Sequence, residues 1–345
     1  MSCDSKNECI DKCEPGKERS NLPFQWREIS EQEQRLRLQS WPEPMSVCRD
    51  VIALEPGNVI VPREFLDIAY QIYNFEIRSD DVFVVTFPKS GTTWAQEMIW
   101  QITHHCDFEG GKVNLGARSP FLELPMLIPD HKLMPMVPKE KLLQAKRILE
   151  LARSMPSPRV IKSHLPICFQ PPNLLNRCKV VYLARTPKDC CVSYYHHEQL
   201  VPIHGYEGDF KSYASWFKRG QLLYGDYWFH LSEAVSRQGH PNLKIIWYEQ
   251  MKKDLPGVLQ ETCTWLEQPL SDWSLKELVQ HLSFDRFKSN SAVNNAALTN
   301  PKTGQCFIRR GKIGDWKNHF DTETSLEWDD WIQEKKREFK INNLF

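Results

Sequence analysis

The feature that most constrains this chain is a short run of strand-forming residues, Asp81 to Phe87 (DVFVVTF), which passes directly into Pro88-Lys89-Ser90-Gly91-Thr92-Thr93 and then into a helical pattern. A continuous apolar run of this length reads as a strand buried on both faces, and such a strand needs a sheet covered by helices on each side. Trp94, Met98 and Ile102 recur every fourth residue, which predicts one apolar helix face against that sheet. Three more runs read as buried strands: Arg159 to Ser163 (RVIKS), Lys179 to Ala184 (KVVYLA) and Asn242 to Tyr248 (NLKIIWY). Helical patterns separate most of them. The expected fold class is therefore α/β: a single domain with a central, mostly parallel sheet flanked by helices and a P-loop-like, phosphate-binding strand, loop and helix.

A chain of 345 residues without internal repeats or low-complexity tracts fits one domain over 21–345, after a flexible tail over 1–20. That tail, MSCDSKNECIDKCEPGKERS, alternates charges and lacks the apolar core of a signal peptide. No long apolar run follows, so no membrane partner is expected. Lys+Arg and Asp+Glu are equal at 44 each, so nothing suggests nucleic acid, and an anionic ligand must be held by local cationic clusters. Eleven cysteines lack the paired spacing of a zinc site or a disulfide framework, which predicts a reducing, cytoplasmic setting. Cys3, Cys9 and Cys13 have no fourth ligand at useful spacing, and no metal is expected.

After the third run, Thr186 is placed to cap a helix that has Pro187 at its first position and Asp189 in its first turn. Strand, tight loop and helix thus occur twice, and ligands of open parallel sheets gather where strands end and helices begin. Near the C-terminus, Thr324 and Glu327 read as a capping box ahead of a helix carrying Trp328, Trp331 and Ile332. Lys139 to Ser154 reads as a helix with Leu142, Ala145 and Leu149 along one side, either a surface helix or a cover for a pocket mouth.

The order of Lys89 and Gly91 is not that of a Walker A loop. The physics can be similar: Gly91 lets the backbone approach an anion, free N–H groups begin the helix, Thr92 and Thr93 add hydroxyls, and Lys89 adds charge. Taken alone, the run is equally a helix cap with an incidental lysine. Lys162 and His164 are two apart at a strand end, so their side chains emerge on one face. An imidazole there can accept a hydroxyl proton near neutral pH.

PKSGTTW resembles the 5′-phosphosulfate loop of the cytosolic sulfotransferase family. Arg185 to His196 (RTPKDCCVSYYH) resembles that family's 3′-phosphate segment, and Arg309 to Phe320 (RRGKIGDWKNHF) its C-terminal phosphate loop. All three stand in the family's order, and the similarity runs from about Asp80 to Phe320. The resemblance implies 3′-phosphoadenosine 5′-phosphosulfate (PAPS) as donor and 3′-phosphoadenosine 5′-phosphate (PAP) as product. It assigns Lys89, Ser90, Gly91, Thr92 and Thr93 to the 5′ end, and Arg185, Ser193, Arg309, Arg310 and Gly311 to the 3′-phosphate. Trp94 and Phe284 would sandwich the adenine, with Tyr248 at its edge and Ser283 beside it. His164 is implied as general base, with Lys162 near the transferring sulfuryl group and Lys89 at the bridging oxygen. Lysines and amides can neutralise that charge without a metal.

Arg118 to Glu123 (RSPFLE) resembles the segment that supplies the acceptor-pocket phenylalanine, here Phe121; Phe87 and His197 match further pocket positions. These imply a small apolar acceptor bearing a hydroxyl: a phenol, a sterol-like alcohol or a retinoid. The stretch from Glu123 to Lys162, with HLSF and SNSAVN, is nearer to insect members of the family, a retinol dehydratase among them. Leu282 stands where many members carry threonine, so this chain lacks that hydroxyl. The family's dimerisation pattern is not reproduced, since Asp321 and Thr322 follow Lys317 at its positions, which leaves monomer and homodimer open. Sulfation followed by elimination, phosphoryl transfer from ATP, and non-catalytic binding of a nucleotide or apolar ligand are the competing readings.

Overall fold

The computed structural model describes residues 22, 24–128, 139–299 and 304–341. The tail expected over 1–20 lies outside them. Among the described residues there are two sheets. The first is antiparallel in the order β1 (Gln25–Glu28), β2 (Val51–Glu55), β3 (Val59–Pro62), with Trp26 opposite Leu54 and Ile52 opposite Val61. Nothing in the sequence reading anticipated it, although the run VIALEPGNVIV holds two β-rich stretches around a Pro-Gly-Asn turn, a hairpin signal.

The second sheet contains the four expected strands, all parallel: β4 (Val82–Thr86), β5 (Val160–Ser163), β6 (Lys179–Ala184) and β7 (Leu243–Trp247), in the order β5-β4-β6-β7. All five residues of β4 are buried, as its unbroken apolar composition requires. Its side chains alternate between two cores. Phe83 and Val85 join Ile161, Val180 and Tyr182 on one face, whereas Val82 and Val84 join Val160, Val181 and Leu183 on the other.

The helix Thr92–Thr103 departs from the expected single apolar face, since ten of its twelve residues are buried, Gln96, Glu97 and Gln101 included. Most of the polar groups find partners: Glu97 accepts from Arg118 Nη2 at 2.6 Å and from Gln101 Nε2 at 2.9 Å, and Gln96 Nε2 donates to Ser119 Oγ at 2.9 Å, whereas Gln101 Oε1 has none. The predicted helix over Lys139 to Ser154 is two helices, Lys139–Lys146 and Ile148–Ser154, and none of their described side chains lines the cavity described below. The final helix, Thr322–Glu338, is capped by Asp321, whose side chain accepts from Thr324 N at 2.7 Å. The expected Thr324 and Glu327 capping box is therefore displaced by the aspartate three residues earlier, and Glu327 pairs instead with Lys218.

Candidate active site

The carboxyl ends of β4, β5, β6 and β7 open onto one cavity, and Lys89, Arg185 and Arg310 all line it. At β4, the chain turns through Lys89 (φ +67°) and Gly91 (φ +107°) into the helix beginning at Thr92. Gly91 is needed twice over. Its φ is left-handed, and a Cβ would fall 2.8 Å from the Tyr248 ring and 3.0 Å from Leu183. The amides of Thr92 and Thr93 have no partner inside this helix, whereas Trp94 N donates to the Gly91 carbonyl at 3.0 Å, and all three residues face the cavity.

Arg185 follows β6 and lines the cavity with Ser193, which stands on the helix Pro187–Leu200. Arg185 Nη1 donates to the Lys89 carbonyl at 3.1 Å, its guanidinium lies 4.5 Å from the Tyr248 ring centre, and its buried Nε has no partner. Thr186 occupies the cap position of that helix, but its side chain makes no capping bond. Asp189 does more than complement the helix end: its buried carboxylate accepts from Gly314 N at 2.7 Å and Trp316 N at 3.0 Å. It thereby ties the Arg309–Phe320 loop to this helix.

Arg309, Arg310 and Gly311 line the same cavity. Asp315 orients both arginines, through Arg310 Nη1 at 2.8 Å and through Arg309 Nη2. Gly311 has φ +59°, and a Cβ there would sit 2.2 Å from the Phe284 ring. Phe284 and Trp94 form the aromatic wall with Tyr248, whose ring centre is 5.6 Å from that of Trp94. Trp94 Nε1 donates to the Leu282 carbonyl at 3.0 Å.

At β5, Lys162 and His164 both face the cavity, as their spacing predicts. His164 Nδ1 lies 2.8 Å from the Thr86 carbonyl oxygen and 3.1 Å from Thr86 Oγ1. Its backbone is pinned as well, with its N–H donating to Glu123 at 3.3 Å and its carbonyl accepting from His230 Nε2 at 2.9 Å. Burial, with Lys162 nearby, holds the His164 imidazole neutral far below its ordinary range. Lys162 Nζ sits 3.9 Å over the Phe121 ring, and burial pushes its ammonium down to about 8. Lys89 Nζ lies 3.4 Å from His197 Nδ1 and 4.5 Å from the Phe307 ring centre. Burial first, then the charges of Lys162 and Arg185, push it down to about 7. A cavity that depresses two lysines in this way favours an anion.

Three of the residues assigned from the sequence do not line the cavity. Phe87 packs in the core, its ring 5.4 Å from that of Tyr227 and 5.6 Å from that of His230. Ser90 is fully buried with Oγ 3.9 Å from Cys190 Sγ, and Ser283 Oγ donates to the Gln280 carbonyl at 2.6 Å. Phe121 and His197 do line it, joined by Tyr224, Phe307 and Lys252, which the sequence reading did not single out. Tyr224 combines φ +69° with a buried hydroxyl that has no partner, and its ring centre is 5.3 Å from that of His164. Glu123 ends the RSPFLE segment, and its sequence position alone implies no role. Burial pushes its carboxyl up to about 7, and it accepts from Ser163 Oγ and His164 N, supporting the histidine from behind.

The family model described as "Sulfotransferase domain" matches residues 79–340. Luciferin sulfotransferase of Photinus pyralis is 32% identical over 297 residues, covering 83% of this chain and 80% of that protein. Sulfotransferase 1B1 of Mus musculus is 33% identical over 272 residues, covering 77% and 85%. Among solved structures, retinol dehydratase in complex with androsterone and the inactive cofactor PAP superposes with a TM-score of 0.84 at 31% identity, over 94% of this chain and 98% of that one. Mouse sulfotransferase SULT7A1 complexed with PAP gives 0.63 at 25% identity, over 81% and 93%. With the family's domain matched across most of its length, at the strands and loops that build the cavity, this chain belongs to the sulfotransferase family.

Proposed function

We propose that the chain transfers the sulfuryl group of PAPS to the hydroxyl of a small apolar acceptor, with His164 as general base. The observation that carries this reading is the 2.8 Å contact between His164 Nδ1 and the Thr86 carbonyl. A carbonyl only accepts, so Nδ1 carries the proton and Nε2 keeps its lone pair. The imidazole is thereby held in the form that can take a proton.

The residues present fit the donor. Arg185 Nε is a buried donor that an anion would satisfy, and the absent side chain at Gly311 lets the Phe284 ring pack directly against the loop that carries Arg309 and Arg310. PAPS supplies the sulfuryl group and leaves as PAP. Lys89, Gly91, Thr92 and Thr93 bind its 5′ end, whereas Arg185, Ser193, Arg309, Arg310 and Gly311 bind the 3′-phosphate. Trp94, Phe284 and Tyr248 flank the base. Lys89 and Lys162 stabilise charge as it develops on the sulfuryl oxygens and the bridging oxygen, more strongly in the transition state than before it. Phe121, Tyr224 and His197 surround the acceptor, whose hydroxyl proton passes to His164 Nε2. The setting proposed with this activity is cytoplasmic, in keeping with cysteines that are all free among the described residues.

The test is incubation with radiolabelled PAPS and a panel of phenols, sterols and retinoids. Label recovered on an acceptor is the expected result. PAP binding with no labelled product across the panel would leave a nucleotide-binding protein without turnover. The likeness to retinol dehydratase at TM-score 0.84 favours a second reading, in which the sulfated alcohol loses sulfate to give an alkene. Mass analysis decides between them, since transfer leaves a sulfate ester and elimination leaves inorganic sulfate with a dehydrated product.

A further inference from the structure

One buried cluster lies outside the groups assigned to transfer. Cys48, Glu198 and His204 bring a thiol, a carboxylate and an imidazole together, with one ligand atom from each lying within 4.8 Å of the others. All three are buried, Glu198 completely and His204 with 6% exposure. Glu198 Oε2 accepts from Trp41 Nε1 at 2.8 Å, but Glu198 Oε1 and His204 Nδ1 have no hydrogen-bond partner. These two atoms face each other at 3.8 Å, too far for a hydrogen bond and suitable for sharing a third body. Leaving a carboxylate oxygen and a ring nitrogen unsatisfied in the interior is costly, so the pair calls for an occupant.

We infer that Cys48 Sγ, Glu198 Oε1 and His204 Nδ1 form a site for a divalent transition-metal ion of the zinc class. The donor set selects the ion: a thiolate with an imidazole suits zinc and its neighbours, whereas magnesium and calcium take oxygen ligands. Charge agrees, because a dication held by one thiolate, one carboxylate and a neutral imidazole is neutral overall and can be buried. Arg37, whose guanidinium reaches the Cys48 carbonyl at 3.3 Å, is paired with Glu33 at 3.3 Å. The frame is already built. Val47 N donates to the Ile203 carbonyl at 2.9 Å, Ser46 Oγ donates to the His204 carbonyl, and Tyr206 N donates to the Glu198 carbonyl at 3.2 Å.

Three protein ligands leave a fourth position for water or another small ligand. His204 lines the cavity, and its ring centre is 5.1 Å from that of His197, the neighbour of Lys89. The ion would therefore fasten the segment before β2 to the helix Pro187–Leu200 in the wall of the cavity. It is not assigned to sulfuryl transfer, and it stands or falls independently of the donor and acceptor proposed above. Burial disfavours the Cys48 thiolate in the metal-free protein, so binding releases a proton.

The test uses the full chain, stripped with a chelator and dialysed against Zn²⁺, with metal content measured by elemental analysis. Co²⁺ replaces Zn²⁺ for spectroscopy. The expected result is a site that binds one equivalent, shows a thiolate-to-cobalt charge-transfer band, and persists when Cys3, Cys9 and Cys13 are all replaced by serine. Changing a residue that only supports a metal's ligands typically costs about 10- to 100-fold in metal affinity, so Cys48→Ser and His204→Gln, which remove ligands, should each lower it by more than about 100-fold. A cooperative thermal melt followed by circular dichroism reports whether the Cys48→Ser protein is folded. If it is not, the cobalt spectrum of the tail variant decides, since presence of the thiolate band supports the site and absence overturns it. Failure to bind one equivalent, unchanged affinity in folded Cys48→Ser protein, or loss of binding with the tail cysteines would each overturn it.

Discussion

Nδ1 of His164 rests 2.8 Å from the carbonyl oxygen of Thr86, so the residue after β5 is held by the last residue of the neighbouring strand β4. Those strands are paired in parallel, with Val84 opposite Lys162 and Val85 opposite Ser163. The sheet register therefore sets the tautomer of the proposed base as well as its position.

His164→Ala should lower kcat by about 10²- to 10⁴-fold, the usual contribution of a positioned general base. PAP affinity should stay within a few-fold, because the histidine does not stand among the phosphate-binding groups. Initial rates and titration calorimetry check both, and an active variant would remove the histidine from the mechanism. The imidazole pKa is depressed, so the base form persists as pH falls. The acid limb of the kcat/KM profile for wild type should accordingly lie well below pH 6.5.

Lys89 gives a pH dependence of opposite sense. Its ammonium is pushed down to about 7 in the free protein, and a bound anion raises it again. PAP affinity should be full below about pH 7 and decline above it, by up to about tenfold per pH unit for one proton. Calorimetry in buffers of different ionisation enthalpy should show proton uptake near pH 7.5 that is reduced in Lys89→Ala. A flat profile between pH 7 and 9 would contradict the assignment.

Gly311→Ala is expected to weaken PAP binding at least about tenfold. The left-handed backbone costs a non-glycine residue about 1–2 kcal/mol, and the new methyl would lie 2.2 Å from the Phe284 ring. Gly314→Ala is the control for backbone strain, since its φ is +80° with nothing within 4 Å of the added carbon. Equal losses in the two variants would show that the Phe284 contact does not matter to the nucleotide.

Asp189→Ala should raise the KM for PAPS more than it lowers kcat. Two amides, Gly314 N and Trp316 N, lose the acceptor that holds the arginine loop against the helix, at about 1–3 kcal/mol for each buried group left unpaired. Asp189→Asn keeps one acceptor oxygen and should recover part of the loss. Saturation curves for PAPS with a fixed acceptor check this.

Much of this arrangement is written in short segments. The strand β6 occupies the predicted Lys179–Ala184 residue for residue, because β-branched runs without polar interruption are stable only inside a sheet. Lys162 and His164 face one cavity because strand side chains alternate with a period of two. The helix after Gly91 was legible in position but not in character: polar Glu97 is acceptable in its interior only because Arg118 and His281 reach it from distant segments.

The sequence by itself determined the strand, loop and helix units, the charges they carry and the type of ligand those charges suit, since each depends on neighbours within a few residues. The tertiary structure decided which side chains share a space. It turned Phe87 and Ser90 into the interior, brought Tyr224 and His204 to the cavity, and joined Asp189 to Gly314 and Glu123 to His164. Those choices rest on burying apolar surface and pairing polar groups across long chain separations, and local spacing carries no record of either.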